Sequence, residues 1–203
     1  MKKRAKGRPM KARPLILASA EALFLEHGLD VNLDQIAVHA GTTRQTLYNH
    51  FPSKSDLLME VFATLKERLQ MPFGSCSDDS TPLSTLLPAL GRLVQAHFYD
   101  ETIVRFQRLL VVALVQMPDL LSAVQQRPTG VVRDALAAML AARAKRGEVH
   151  VQHPEEAAKA FLGAILGSMY PTVLMGGRMP EKDELERLNL EVCATFLSVW
   201  EAA

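Results

Sequence analysis

The sequence has few of the residues from which disulfide-stabilised, metal-binding and catalytic sites are built. Its 203 residues include two cysteines, Cys76 and Cys193, which are far apart and have no metal ligands nearby, so neither a disulfide framework nor a zinc finger is supported. His150 and His153 precede Pro154 in an expected loop without a Cys or carboxylate at ligand spacing, which argues against a metal pair. No recognisable grouping of nucleophile, base and orienting residue occurs. We therefore expect no catalytic residue, metal, cofactor or enzymatic activity.

The sequence also has no segment with the form of a membrane span or a secretory signal. The apolar stretch from residue 160 to 175 is shorter than the roughly 20 residues that a span needs, and it contains Ser168, Tyr170, Pro171 and Thr172. The first thirteen residues are charged and are not followed by the apolar stretch of a signal peptide. With 48% hydrophobic residues there is ample material for a packed core. We expect a cytoplasmic protein with no membrane contact.

Residues 32–54 (NLDQIAVHAGTTRQTLYNHFPSK) contain two short helical patterns separated by a glycine. In the first, apolar residues recur at helical spacing and share one face: Leu33, Ile36, Ala37 and Ala40. Asn32 is a good N-cap, and the amide of Gln35 can reach back to complete a capping box. Gly41 can take the left-handed conformation that ends a helix, so the chain is predicted to bend there.

The second segment has one apolar face and one polar face. Thr42 or Thr43 can cap it, and Leu47 and Phe51 then point into the core. The polar face carries Thr43, Arg44, Gln45, Thr46, Tyr48, Asn49 and His50. Arginine can pair with guanine, and glutamine or asparagine with adenine, in the major groove of DNA. The pattern predicts a helix-turn-helix, although a solvated surface helix would have a similar face.

Phosphate contacts would fix the register of such a helix on DNA. We assign them to His50, Tyr48 and Lys54, because Ser53 caps a third helix whose positive N-terminal end lies beside Lys54.

The order of these residues resembles the DNA-binding domain of the tetracycline-repressor (TetR/AcrR-like) family. The similar residues include Ile16, Ala20, Leu23, Phe24, Gly28, Ile36, Ala37, Ala40, Gly41, Thr46, Leu47, Tyr48, Asn49, His50, Phe51, Lys54, Leu57 and Leu58. The resemblance covers roughly residues 14–69, and Asn32 stands where the family more often has threonine. Asn32 keeps the capping chemistry and is included among the DNA contacts. The resemblance implies an all-α fold with a three-helix DNA-binding domain and a C-terminal helical domain for ligand binding and dimerisation.

The basic residues concentrate at the N-terminus. Residues 1–72 have a formal charge of +4 and the remainder −3. Seven Lys and Arg residues precede Pro14 with no acid among them. This arm is either a solubilising tail or, beside a helix-turn-helix, a segment that follows phosphates or enters the minor groove. Lys6 and Arg8 are the expected contacts, since Lys6-Gly7-Arg8-Pro9 resembles the core of an AT-hook.

The expected domains are a disordered arm (1–13), a helix-turn-helix domain (14–70) and a helical domain (71–203). The helix from Ser53 to Leu69 is expected to bridge the two folded domains. A later helix is expected from Thr102 to Gln116, and it is expected to be buried because its run from Leu109 to Val115 is apolar on all sides. Another is expected from Pro154 to about Met175, with a kink before Pro171 as an alternative.

Two sets of residues in the C-terminal region have alternative interpretations. Small residues at helical spacing, Ala160, Gly163, Ala164 and Gly167, allow close packing either within the subunit or against a second copy. The resemblance implies the second copy, together with an apolar stripe on the last helix: Leu185, Leu188, Val192, Phe196 and Val199.

The family resemblance also implies a cavity between helices, although for each candidate residue alone ordinary core packing is the favoured interpretation. The expected lining is Met59, Phe62, His97, Phe98, Phe106, Gln107, Gln116, Met139, Met169 and Tyr170. We expect a homodimeric, nucleoid-associated repressor that binds a palindromic double-stranded operator and is released by a small apolar or amphipathic effector. The competing interpretation is a helical binding protein or enzyme whose N-terminal helices contact only other proteins.

Overall fold

The computed structural model describes residues 12–69, 81–118, 120 and 130–201, and every regular element in these ranges is helical. The described residues 12–69 and 105–120 pack as one compact unit, and residues 81–104 and 130–201 pack as a second. The boundary therefore falls within the helix Glu101–Gln116. The expected all-α fold is confirmed.

In its described residues, the first unit contains four complete helices. They are α1 (Ala12–His27), α2 (Leu33–His39), α3 (Arg44–His50) and α4 (Lys54–Arg68), with a 3₁₀ turn at Gly28–Asp30 between α1 and α2. Most of α6 (Glu101–Gln116) completes this unit. Its core is formed by buried residues from all five helices, among them Ile16, Phe24, Ile36, Leu47, Leu57, Leu65, Leu109 and Ala113.

The second unit contains the remaining helices. They are α5 (Leu83–Phe98), α7 (Val131–Lys145), α8 (Pro154–Leu166), α9 (Met169–Leu174) and α10 (Lys182–Trp200). The main core of this unit includes Leu87, Leu90, Leu140, Phe161, Ile165 and Trp200. No helix in the described part of the chain is long and apolar enough to cross a membrane.

The expectation that α6 is buried on all sides is wrong. Leu109 and Ala113 face the core of the first unit, whereas Val111, Val112 and Val115 are 49%, 44% and 75% exposed. An apolar sequence makes a helix able to be buried on every side, but the number of neighbouring elements decides how much of it is covered. Here one face of α6 has packing partners and another is left exposed.

The helix expected from Pro154 to about Met175 is broken into α8 and α9. Gly167 ends α8 with φ of +67°, a conformation that other residues rarely adopt. The last carbonyls of α8 find partners on α5: Gln95 Nε2 donates to the Ile165 oxygen at 3.0 Å, and Tyr99 donates to the Leu166 oxygen at 2.5 Å. These bonds satisfy groups that a helix end leaves unpaired, so the break is stabilised by α5.

Helix α5 continues through Pro88 and approaches α10 closely. Asn189, fully buried on α10, donates from Nδ2 to the Pro88 carbonyl oxygen at 3.0 Å. A Cβ atom built on Gly91 would lie 1.9 Å from Asn189 Oδ1 and 2.9 Å from the Ile165 Cδ1 atom. Glycine at position 91 is therefore required by the approach of the two helices.

We expect Gly91→Ala to lower the free energy of unfolding by about 1–3 kcal/mol, as overpacking does in a dense core. The measurement is chemical denaturation of the wild type and the variant. The loss should be smaller in an Asn189→Ala background, where the nearest clash is removed and Ile165 can rotate. An equal loss in both backgrounds would contradict the assigned contact.

Candidate nucleic-acid interface

The start of α2 is fixed by a reciprocal pair of hydrogen bonds. Asn32 Oδ1 accepts from the Gln35 backbone N–H at 2.9 Å, and Gln35 Oε1 accepts from the Asn32 backbone N–H at 2.8 Å. The predicted capping box is confirmed. It satisfies two of the donors that the first helical turn leaves unpaired.

The turn between α2 and α3 is a Schellman motif centred on Gly41. Gly41 has φ of +62°, its N–H donates to the Val38 carbonyl at 3.0 Å, and the Thr42 N–H donates to the Ala37 carbonyl at 2.9 Å. The predicted bend is confirmed. The motif fixes the direction in which the chain leaves α2 and enters α3.

Helix α3 is held at its start by a cap and on one face by the core. Thr43, one of the two predicted caps, accepts from the Thr46 N–H at 3.1 Å. Leu47 and Phe51 are buried, as expected. A seven-residue helix is unstable in isolation, so these contacts are what keep it helical.

The opposite face of α3 is accessible and polar. Side chains at Thr43, Arg44, Gln45 and Asn49 are exposed, and those at Thr42, Thr46, Tyr48 and His50 are half-buried. The predicted reading residues therefore lie together on one short helix and the residues just before it.

Several of these side chains bond to one another. Gln45 Nε2 donates to Asn49 Oδ1 at 3.0 Å, and the Thr43 and Thr46 hydroxyls are 2.8 Å apart. Arg44 lies with its guanidinium carbon 5.4 Å from the centre of the Tyr48 ring. The groups are thus partly oriented in the free protein.

Asp34 is the residue of this surface that the sequence analysis missed. Its Oδ2 atom accepts from Arg44 Nη1 at 3.0 Å, and both side chains are mostly exposed. An acidic residue in the first turn of α2 is ordinarily explained by the helix dipole. The available signal was that Asp34 is the one acid and Arg44 the one Lys or Arg between residues 31 and 52.

The start of α4 has the expected cap but an unexpected lysine contact. Ser53 accepts from the Asp56 N–H at 3.1 Å. Lys54 Nζ donates to the Leu29 carbonyl oxygen and lies 6.0 Å from the centre of the Phe24 ring. Burial lowers the pKa of Lys54, an effect that Asp30 opposes. The bond to Leu29 leaves two N–H groups on the ammonium, so a phosphate contact through Lys54 stays a prediction.

The predicted arm lies largely outside the described residues, and this includes Lys6 and Arg8. Helix α1 begins at Ala12, two residues before the start expected from Pro14. Arg13, which we had placed in the arm, pairs with Glu60 on α4 and lies 5.1 Å from the centre of the Phe51 ring. Arg13 is therefore engaged within the first unit.

The residues predicted to line a ligand cavity are divided between the two units. Met59, Phe62, Phe106 and Gln116 lie in the first, where the Phe62 and Phe106 ring centres are 5.9 Å apart. His97, Phe98, Met139, Met169 and Tyr170 lie in the second. Met139 packs against the main core of that unit, and the Phe98 and Tyr170 rings meet edge to face at 5.7 Å. Their role in ligand binding stays a prediction.

Tyr170 carries a buried hydroxyl that has no hydrogen-bond partner among the described residues. It lies in an aromatic cluster with Phe98 and Tyr99, and its ring centre is 5.4 Å from that of Tyr99. Burial, with a smaller effect of Tyr99, raises the pKa of Tyr170 to about 12. A buried polar group without a partner costs free energy and points to a missing hydrogen-bonding group.

The residues predicted at a dimer interface differ in exposure. Ala160 and Gly163 on α8 and Val199 on α10 are exposed, whereas Ala164, Leu188, Val192 and Phe196 are half-buried. Phe196 packs edge to face on Phe161 at 5.4 Å within its own subunit. Gly167 caps α8, and a Cβ atom there would lie 2.8 Å from Leu188 Cδ2. Of the two glycines, Gly163 is the open one: a Cβ there would meet nothing within 4 Å.

The described part of the chain contains neither a cluster of metal-ligating residues nor a reactive thiol. No three His, Cys, Asp or Glu residues there are grouped to hold a metal ion. Burial raises the pKa of the Cys193 thiol to about 11, so it is protonated at neutral pH and a poor nucleophile. Cys76 lies outside the described residues.

Two sequence-family models match the chain. The model of bacterial regulatory proteins, tetR family, matches residues 16–61, and the model of the AefR-like transcriptional repressor, C-terminal domain, matches residues 85–202. The second match alone covers more than half of the chain. The chain belongs to the tetR family. This family is one of bacterial regulatory proteins rather than of enzymes, and the exposed face of α3 is the candidate DNA-reading surface of this chain.

Curated relatives and solved structures agree with this assignment. The HTH-type transcriptional repressor BepR of Brucella suis biovar 1 (strain 1330) is 30% identical over 102 residues, 49% of this chain and 49% of BepR. The chain thus spans about half the length of the curated relatives that it matches.

Two solved structures are similar over almost the whole chain. A TetR-family transcriptional regulator of Mesorhizobium loti MAFF303099 has a TM-score of 0.79 at 25% identity and covers 97% of this chain and 100% of its own. The flavonoid-responsive regulator FrrA has a TM-score of 0.69 at 25% identity and covers 97% of this chain and 98% of its own. The all-α two-part architecture is therefore that of the family.

Loss of the capping box should destabilise the reading surface. We expect Asn32→Ala to lower the free energy of unfolding of the first unit by about 1 kcal/mol, because the Gln35 N–H loses its acceptor. Asn32→Thr is the control, since its hydroxyl oxygen can still accept that bond. Denaturation curves that shift equally for both variants would contradict a capping role for Asn32.

Proposed function

We propose that this regulator is a cytoplasmic repressor that binds a palindromic operator as a homodimer and is released by a small aromatic, amphipathic effector. The observation that carries the DNA-binding part is the exposed polar face of α3, supported by capped helix ends and a buried apolar face. Arg, Gln and Asn side chains on that face have the donors and acceptors that distinguish base pairs in the major groove. The operator itself is to be found by selecting bound sites from a random duplex library.

Base reading is assigned to the first turn of α3 and phosphate binding to its end. We expect Gln45→Ala to weaken binding to the selected operator by roughly 1–3 kcal/mol while changing binding to random duplex DNA little. His50→Ala is the matched control on the same helix, and it should weaken both by a similar factor. The measurement is fluorescence anisotropy with both DNAs at one salt concentration. An equal loss on both DNAs for Gln45→Ala would remove this residue from the base-reading set.

The proposed homodimer is supported by the short length of the DNA-reading helix α3. One seven-residue helix contacts few base pairs, and a two-fold pair doubles the contact on a palindromic site. The second unit offers a surface for this pairing. Val199 of α10 is 62% exposed, and Ala160 and Gly163 of α8 are exposed small residues beside which another helix can pack. Exposed apolar surface of this kind is typical of association sites.

Gly163 provides a direct test of that pairing. Since a Cβ atom at position 163 would meet nothing within 4 Å, we expect Gly163→Leu to leave the fold intact and to produce monomers that bind operator weakly. Ala138→Leu, at an exposed position inside α7, is the control and should remain dimeric. The measurement is sedimentation velocity with circular dichroism. A Gly163→Leu variant that stays dimeric would exclude this part of α8 from the interface.

The effector proposal rests on Tyr170. Its buried hydroxyl lacks a partner among the described residues, and the rings of Phe98 and Tyr99 lie beside it. A ligand with an aromatic ring and a hydroxyl or carbonyl oxygen could stack there and bond to Tyr170. The similarity to FrrA, described as flavonoid-responsive, supports the same ligand chemistry. The effector must bind the DNA-free state more tightly than the DNA-bound state.

We expect Tyr170→Phe to weaken release from the operator by flavonoids or alkyl phenols about 2- to 10-fold, the effect of one hydrogen bond. Operator affinity without effector should be unchanged. Tyr99→Phe is the control: its hydroxyl already donates to Leu166, so its loss should reduce stability and leave the ligand selectivity unaltered. Titrating the operator complex of each protein with each compound measures how readily the protein is released and which compounds release it. If Tyr170→Phe responds like the wild type to every effective compound, Tyr170 is not a ligand contact.

A further inference from the structure

The base-reading surface contains a single ion pair whose two members lie on different helices. Asp34, in the first turn of α2, accepts from Arg44 at the start of α3 with a separation of 3.0 Å. Between residues 31 and 52 there is no other Asp, Glu, Lys or Arg. The formal charge of this stretch is therefore zero with its histidines neutral. Its reading face has almost no unbalanced charge with which to attract phosphates indiscriminately.

Arg44 is held from two sides. The carboxylate of Asp34 accepts a hydrogen bond from one amino group of Arg44, and the Tyr48 ring lies 5.4 Å from the guanidinium carbon. Arginine has five N–H donors in a planar fork, so the bond to Asp34 leaves others for a base edge. A guanidinium fixed in this way has fewer orientations available than one on a free arginine. Its contact with guanine would cost less side-chain entropy, and its contact with passing phosphates would be restricted.

We propose that Asp34 is a specificity-determining residue, which positions Arg44 for base contact and withholds it from the phosphate backbone. This inference rests on the proposed role of α3 in reading the operator. Asp34 acts through Arg44: while its carboxylate accepts from the guanidinium, Arg44 is less able to neutralise phosphates, and sequence-independent binding is reduced. An exposed ion pair adds little to the stability of the fold, so we expect the Asp34–Arg44 pair to contribute to DNA recognition instead.

The test compares affinities for the selected operator and for random duplex DNA across a salt series. Asp34→Ala should strengthen binding to random DNA and reduce the ratio of operator to random affinity by at least about fivefold, the lower bound for one bidentate base contact. The released Arg44 can neutralise one more phosphate, so the slope of log K against log salt on random DNA should steepen by about 0.9. Asp34→Asn keeps an oxygen acceptor without the charge, and its effect should be intermediate.

Two controls separate positioning from a general charge effect. Glu186→Gln removes one negative charge from another exposed pair, Arg92–Glu186, and should leave the ratio unchanged. In an Arg44→Ala background, Asp34→Ala should no longer alter the ratio or the salt slope. Circular dichroism checks that each variant is folded.

The outcomes are distinct. If Asp34→Ala leaves the ratio unchanged, or alters it equally with and without Arg44, the positioning role is excluded although the wild type still selects its operator. If the wild type binds neither DNA even at low salt, the proposed function itself fails.

Discussion

The candidate DNA-reading surface depends on satisfying the backbone groups at the ends of short helices. Helices α2 and α3 have seven residues each, too few to be stable alone, because nucleating a helix fixes several residues before the hydrogen bonds accumulate. The box formed by Asn32 and Gln35, the turn at Gly41 and the cap at Thr43 satisfy these groups locally. With its ends satisfied and one face buried, α3 can expose polar side chains that contribute nothing to the core.

In the second unit, the C-terminal end of α8 is satisfied by long-range partners. The break at Gly167 leaves carbonyls at the end of α8, and Gln95 and Tyr99 of α5 donate to them. Neighbouring α9 brings Tyr170 against Phe98 and Tyr99, and there one buried hydroxyl is without a partner in the described part of the chain. The ends of α2 and α3 are thus satisfied locally, whereas the second unit contains the buried Tyr170 hydroxyl on which the proposed effector site rests.

These differences explain what could be predicted from the sequence. The caps at Asn32 and Ser53 and the turn at Gly41 were predictable because each involves residues a few positions apart. The pair Asp34–Arg44 spans ten positions and exists only because α2 packs beside α3. The break at Gly167 was missed because its stabilising partners lie on α5, about seventy residues earlier. The exposed valines of α6 were missed because an apolar run does not reveal how many neighbours surround it.

The central claim is that the exposed face of α3 contacts DNA directly. Photo-cross-linking tests it with a benzophenone side chain at position 45, on that face, or at position 64, an exposed position of α4 in the same unit. With duplex operator DNA, the account predicts cross-links to bases from position 45 and none from position 64. Equal yields from both positions, or cross-links from position 64 alone, would contradict it.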